Sequence, residues 1–160
     1  MGRYDVMVKP IEARRVVVTT GEVAEFSEIG ELLGRLYPKL YATLSRRGIA
    51  ALEPSYAIYE HSDGALSAVR VTAALSVPDD VTIDEEGVTT IELASAARAA
   101  TTIVRGSPER FHEAFQALHD WVTSSGEQDT GVDREVYLDS NGPRESWVTE
   151  LQVILQNRAD

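Results

Sequence analysis

The chain has 160 residues, 43% of them hydrophobic, and carries 15 basic against 26 acidic side chains for a formal net charge of −11. That length suits one domain of ordinary size, or two small halves sharing a core. The absence of cysteine excludes disulfides, thiolate chemistry and cysteine-ligated zinc, and the acidic balance argues against a nucleic-acid partner, whose phosphates a basic surface must neutralise.

No apolar run reaches the roughly 18 residues of a membrane-spanning helix, so no membrane partner is expected. The start, Met1-Gly2-Arg3-Tyr4-Asp5-Val6, has no apolar signal-peptide core, and the expected location is cytoplasmic. His61, His112 and His119 lack metal-ligand spacing, so neither a metal nor another cofactor is expected.

Taken in order, Tyr4 to Val8 and Arg14 to Thr20 are rich in β-formers. They read as one long or bulged strand, interrupted near Pro10 and ended by Gly21. From Val23 the period turns helical, with Phe26, Ile29, Leu33, Leu36, Leu40 and Leu44 at three- and four-residue steps. Pro38 is expected to kink or split this helix, and Gly48, after Arg46-Arg47, to cap it. Ser55 to Glu60 and Leu66 to Val77 are strands joined by a turn at Asp63-Gly64. Pro78 to Gly87, rich in acids, is a solvated connector near the midpoint.

The second half repeats the order. Ala97 to Val104 is a strand ended by Gly106. Ser107 caps a helix with Pro108 at its first position, and Phe111, Ala114, Phe115, Leu118, Trp121 and Val122 share one face before Gly126 ends it. Arg134 to Leu138 and Trp147 to Leu151 are strands around the turn residues Asp139-Ser140-Asn141-Gly142-Pro143. Overlaying the halves matches Ala13-Arg14 with Ala97-Arg98, Gly21 with Gly106, Phe26 with Phe111, Gly48 with Gly126 and Tyr59 with Tyr137. This is an internal duplication. The fold expected is α+β: strand-helix-strand-strand units, about 1–78 and 88–157 of a single 1–160 domain, each with a three-stranded antiparallel sheet. A pseudo-twofold axis relates the units, with a ligand groove between the halves.

In the last hairpin, a register pairing Glu135 with Glu150 also pairs Tyr137 with Val148, and sets two carboxylates against each other beside a ring. A solvated edge hairpin explains the same pattern without a site, and a slip of one residue separates the carboxylates. The overlay puts Ala57 where the second copy has Glu135, so the copies differ at the candidate site.

Six stretches carry a resemblance to the GyrI-like small-molecule-binding family, which includes effector-binding domains of multidrug-responsive bacterial regulators. They are Val8 to Val16, Tyr56 to Tyr59, Arg105-Gly106, Ala117 to Trp121, Arg134 to Leu138 and Trp147 to Leu151. The resemblance implies the duplicated fold above and a glutamate at Glu135 in an apolar, aromatic-lined pocket facing cationic or polar ligands. Tyr137 and Glu150 fall on matching motif positions, and some family members hydrolyse cyclopropane-containing toxins with that glutamate. Where the family commonly has Gly-Pro-Tyr, this chain has Gly106-Ser107-Pro108 and lacks that aromatic. No helix-turn-helix segment precedes the domain, so a stand-alone member is expected.

Three functions follow. The first is a binding module for hydrophobic or cationic aromatic small molecules, lined by Glu135, Tyr137, Glu150, Tyr59, Tyr56, Phe26 and Trp121; aromatic faces attract cations by roughly 0.5–2 kcal/mol each. For Phe26 and Trp121 the competing reading is plain core packing. The second is a hydrolase of strained electrophilic toxins with Glu135 as base and Tyr137 or Glu150 supplying a proton or orienting water, which leaves enzymatic activity open. The third, from the family's namesake, is a gyrase-inhibitor-like module, although nothing in the sequence marks a protein interface.

Overall fold

The computed structural model describes residues 4–61 and 68–157. Its elements, in chain order, are β1 (Met7–Ile11), β2 (Arg14–Val23), α1 (Ile29–Arg46), β3 (Leu52–His61), β4 (Val69–Ser76), β5 (Asp84–Glu85) and β6 (Val88–Leu93). There follow β7 (Ala96–Arg105), α2 (Phe111–Ser124), β8 (Asp129–Asp139) and β9 (Val148–Leu155). Short 3-10 turns, Phe26–Glu28, Pro108–Arg110 and Arg144–Ser146, precede α1, α2 and β9. The expected α+β class is found, with antiparallel pairing in every described ladder. The expected Asp63-Gly64 turn lies outside the described residues.

The chain divides into two compact units, Ala13–Ala94 and Met1–Glu12 with Ser95–Asp160. In the first, the strand order is β3-β4-β2-β6-β5, with α1 against β2 and β4. In the second it is β1-β7-β9-β8, with α2 against β7 and β9. Both units thus share strand-helix-strand-strand connectivity, the last strand lying between the other two. Each is wider than the three strands expected, by β6 and β5 in the first unit and by β1 in the second. β1 and β2 are two strands of different units rather than one bulged strand. Pro10 falls where the β1–β7 register shifts, on a terminal strand, a place where a residue without an N–H is tolerated.

Both helices end in the same way. Ile49 N–H bonds to Leu44 O at 2.9 Å and Gly48 N–H to Ser45 O at 3.1 Å; Glu127 N–H bonds to Val122 O at 3.1 Å and Gly126 N–H to Thr123 O at 3.2 Å. Gly48 (φ +68°) and Gly126 (φ +74°) supply the left-handed residue that this cap requires. Pro38 does not split α1, which runs unbroken from Ile29 to Arg46. Both Pro38 and Gly34, whose carbonyl loses its i+4 donor, are exposed, so water can satisfy that oxygen.

Gly21 does not end its strand either, since β2 continues to Val23. A Cβ there would lie 2.8 Å from Leu32 Cδ1 of α1, so the glycine lets helix and strand approach. Gly106, its expected counterpart, instead turns the chain after β7 at φ +110°. We expect Gly21→Val to cost about 1–3 kcal/mol through overpacking, and the added change Leu32→Ala to recover part of it. Denaturant melts of both variants check this, and an unchanged midpoint in the single variant would refute the close approach.

Candidate functional site

The core of the second unit fixes the orientation of β8. Leu151, Val153 and Leu155 of β9 pack with Ala100 and Val104 of β7 against Phe111, Ala114, Leu118 and Val122 of α2. In the observed ladder Glu135 is opposite Leu151, Val136 opposite Glu150, and Tyr137 opposite Thr149. Residues directly opposite share a face, so Asp133, Glu135 and Tyr137 point to the α2 side. The expected Glu135–Glu150 register is off by one, and the two carboxylates lie on opposite faces. The reason is that Leu151, with 0% exposure, must face the core, which turns Glu150 outward from α2.

The α2 side of β8 therefore carries its carboxylates, an inversion of what a core-facing strand usually presents. Glu135 is 7% exposed, and the Tyr137 hydroxyl donates to its Oε1 at 2.6 Å. Tyr137 is itself packed against the core cluster. Next along the row, Asp133 Oδ2 is 2.9 Å from His119 Nε2 of α2; Asp129 Oδ2 is 3.7 Å from Nδ1, and Phe115 is a ring neighbour. The hydrogen bond that the ring donates to the Asp133 carboxylate raises the His119 pKa, with the charges of Asp133, Asp129 and Asp120 adding to it against burial. His119 is thus a satisfied histidine, held by a residue that the hydrophobic pattern does not single out.

A raised folded-state pKa means that folding favours protonated His119. Its contribution is complete below the unfolded pKa of about 6.5 and fades as pH climbs through the folded value. The melting-temperature deficit of His119→Gln relative to the parent should be greatest near pH 5 and shrink toward about pH 9. A deficit that grows with pH would contradict the pairing.

Glu150 sits in a different network. Lys9 Nζ donates to its Oε2 at 2.7 Å and Gln152 Nε2 to its Oε1 at 2.8 Å, so both oxygens of this buried carboxylate are held. In the first unit, Tyr59 is opposite Val71, which is opposite Gly21, and so faces α1. Ala57 has the same orientation and fills the place of Glu135 with an apolar methyl. Tyr56, three residues before Tyr59, points to the other face. Phe26 lies in the 3-10 turn before α1 rather than in its buried stripe; it is 61% exposed and tilted against His61 at 5.8 Å. Trp121 packs on the α2 cluster, but two positions from His119 on a helix places it about 160° around the axis, away from the β8 row. Of the predicted residues, Glu135 and Tyr137 are brought together by a direct hydrogen bond. Among the described residues no cluster of His, Asp and Glu could hold a metal ion, and no helix is long and apolar enough to cross a membrane.

No protein-family model and no curated protein matches the chain by sequence. Solved structures do. The C-terminal domain of EcmrR is 20% identical and superposes with a TM-score of 0.79 over 98% of this chain and 100% of that domain. These chains share a fold. EcmrR in its complex with DNA gives 0.77 at 20% identity, over 97% of this chain but 58% of that one, so the chain spans under two thirds of that protein. SAV2435 bound to tetraphenylphosphonium gives 0.66 at 10% identity, covering 95% and 94% of the two chains. A hydrolase encoded by lin2189 from Listeria innocua gives 0.59 at 15% identity, covering 94% and 91%. The GyrI-like fold implied by the resemblance is the fold of these neighbours.

Proposed function

We propose that the chain is a binding module for small apolar or cationic aromatic molecules, and that Glu135 and Tyr137 contact the ligand. The observation that carries this reading is the buried Glu135–Tyr137 pair on the core-facing side of β8. A carboxylate removed from water is costly, and a cation offsets that cost; the phenol fixes its rotamer and offers a ring face. The shared fold with SAV2435, solved with a lipophilic cation, supports the ligand class, as does the net charge of −11. Tyr59 is assigned a supporting aromatic role as the helix-facing counterpart of Tyr137.

The test is a calorimetric titration with tetraphenylphosphonium and its matched anion, tetraphenylborate, in sodium buffer. Affinity for the cation should exceed that for the anion by about tenfold or more, which is about 1.4 kcal/mol. Equal affinities would remove the carboxylate from the site.

A second reading, hydrolysis of a strained electrophile, is favoured by the 2.6 Å contact itself. In this reading Glu135 draws a proton from an attacking water, Tyr137 protonates the leaving atom, and the proton then returns from the Glu135 carboxyl to the tyrosinate across that contact. Turnover of an electrophilic cyclopropane that disappears in Glu135→Gln would establish it; saturable binding without product would leave the binding module.

A further inference from the structure

A cavity of about 420 Å³ in the second unit is lined by Arg105, Gly106, Ser107, Glu109, Arg110, Arg144 and Glu145. Three guanidiniums around one cavity are notable on a chain with 26 acidic and 15 basic residues. Other described arginines are engaged: Arg14 with Ser76 and the Glu53 carbonyl, Arg15 with the Val81 carbonyl, Arg35 with Glu31, Arg46 and Arg47 with Glu85, Arg70 with Glu60, and Arg98 with Glu127. Among the described residues, Arg105, Arg110 and Arg144 make neither an ion pair nor a side-chain hydrogen bond to the protein. Glu109 and Glu145 line the same cavity, yet neither pairs with them.

The backbone holds this arrangement in place. Gly106 turns after β7 at φ +110° and donates its N–H to Trp147 O at 2.8 Å. That bond ties the end of β7 to the 3-10 turn bearing Arg144 and Glu145. The Arg144 guanidinium lies 5.9 Å from the centre of the Trp147 ring, and the indole N–H is anchored on Gly142 O at 3.2 Å. The cation–π contact orients the Arg144 side chain without consuming its donors.

We propose that this cavity binds a phosphate-bearing small molecule, separately from the Glu135 site. A guanidinium fork takes two oxygens at once. Three forks around one cavity offer more donors than the two oxygens of a carboxylate can accept, whereas a phosphate presents three or four oxygens and a diphosphate more. Diffuse attraction is excluded as the cause, because the field of a chain with net charge −11 repels anions. Saturable anion binding must therefore come from a local set of cations.

The experiment titrates the whole chain with inorganic phosphate, inorganic pyrophosphate and citrate at constant ionic strength, with sodium chloride as the reference. Pyrophosphate should bind saturably at one site, more tightly than phosphate and at least tenfold more tightly than citrate. Arg105→Gln, Arg110→Gln and Arg144→Gln should each weaken it by about tenfold, and Glu145→Gln should tighten it. Glu135→Gln should leave it unchanged, which separates this site from the one proposed above. Binding no stronger than that of chloride, citrate binding as tight as pyrophosphate, or full affinity retained in the arginine variants would overturn the assignment. Since all three arginines are exposed, the variants should melt like the parent, and a loss of affinity then reports on the cavity rather than on folding.

Discussion

Glu135→Gln is expected to weaken tetraphenylphosphonium binding by about ten- to a hundredfold while the unliganded chain melts at the same temperature or higher. A quaternary phosphonium donates no hydrogen bond, so the carboxylate acts on it through charge alone. With an effective dielectric of about 20, two unit charges about 6 Å apart attract by roughly 3 kcal/mol, the upper end of that range. Glutamine keeps an oxygen that can accept from the Tyr137 hydroxyl, so the shape and the internal hydrogen bond survive. Removing a buried charge also relieves its desolvation. Glu60→Gln is the control, since Glu60 is exposed and lies 3.8 Å from Arg70; its titration should match the parent. Identical ligand-induced melting shifts in the parent and both variants would place the site elsewhere.

Leu118→Ala should destabilise the chain by about 2–5 kcal/mol. Leu118 is 0% exposed and central to the α2 stripe, among Phe111, Ala114, Val122 and the β9 leucines. Truncation removes transfer energy and leaves a cavity that neighbours fixed on a helix and a central strand cannot fill. For a chain of this size that is a drop of roughly 5–15 °C in Tm. Phe26→Ala, at a far larger but exposed ring, should stay within about 0.5 kcal/mol. If the two variants melted alike, the helical stripe would not be the core of the unit.

The duplication was legible because its signals are local. Glycine after a helix, serine and proline before one, and apolar steps of three and four need no knowledge of distant partners, and the matched caps at Gly48 and Gly126 follow from them. What was illegible depends on pairing. The face taken by Glu135 is set by Leu151, on another strand, and a slip of one residue reverses it. Val88 to Leu93 is β-branched enough to read as a strand, but it lies between the acidic connector Pro78 to Gly87 and the strand from Ala97, and its partner in the sheet is the distant Arg14 to Val18. Gly21 looked like a terminator because the residue that needs its missing Cβ, Leu32, is on the following helix. Of the three cavity arginines, Arg105 and Arg110 lie on one stretch before α2 and Arg144 lies far along the chain after β8, and the turn at Gly106 with its bond to Trp147 brings the two stretches together.

The exchange of β1 into the second unit has a consequence for the order of events on the ribosome. One unit, Ala13–Ala94, is a continuous stretch, and it is nested inside another whose two pieces flank it. Thr101, whose hydroxyl bonds to Met7 O, is 94 positions further along the chain. A chain made from its N-terminus therefore carries β1 unpaired while the whole nested unit emerges and can close on local contacts. Only when β7 is made does β1 gain its neighbour, so the seam between them waits for the whole intervening unit to be synthesised.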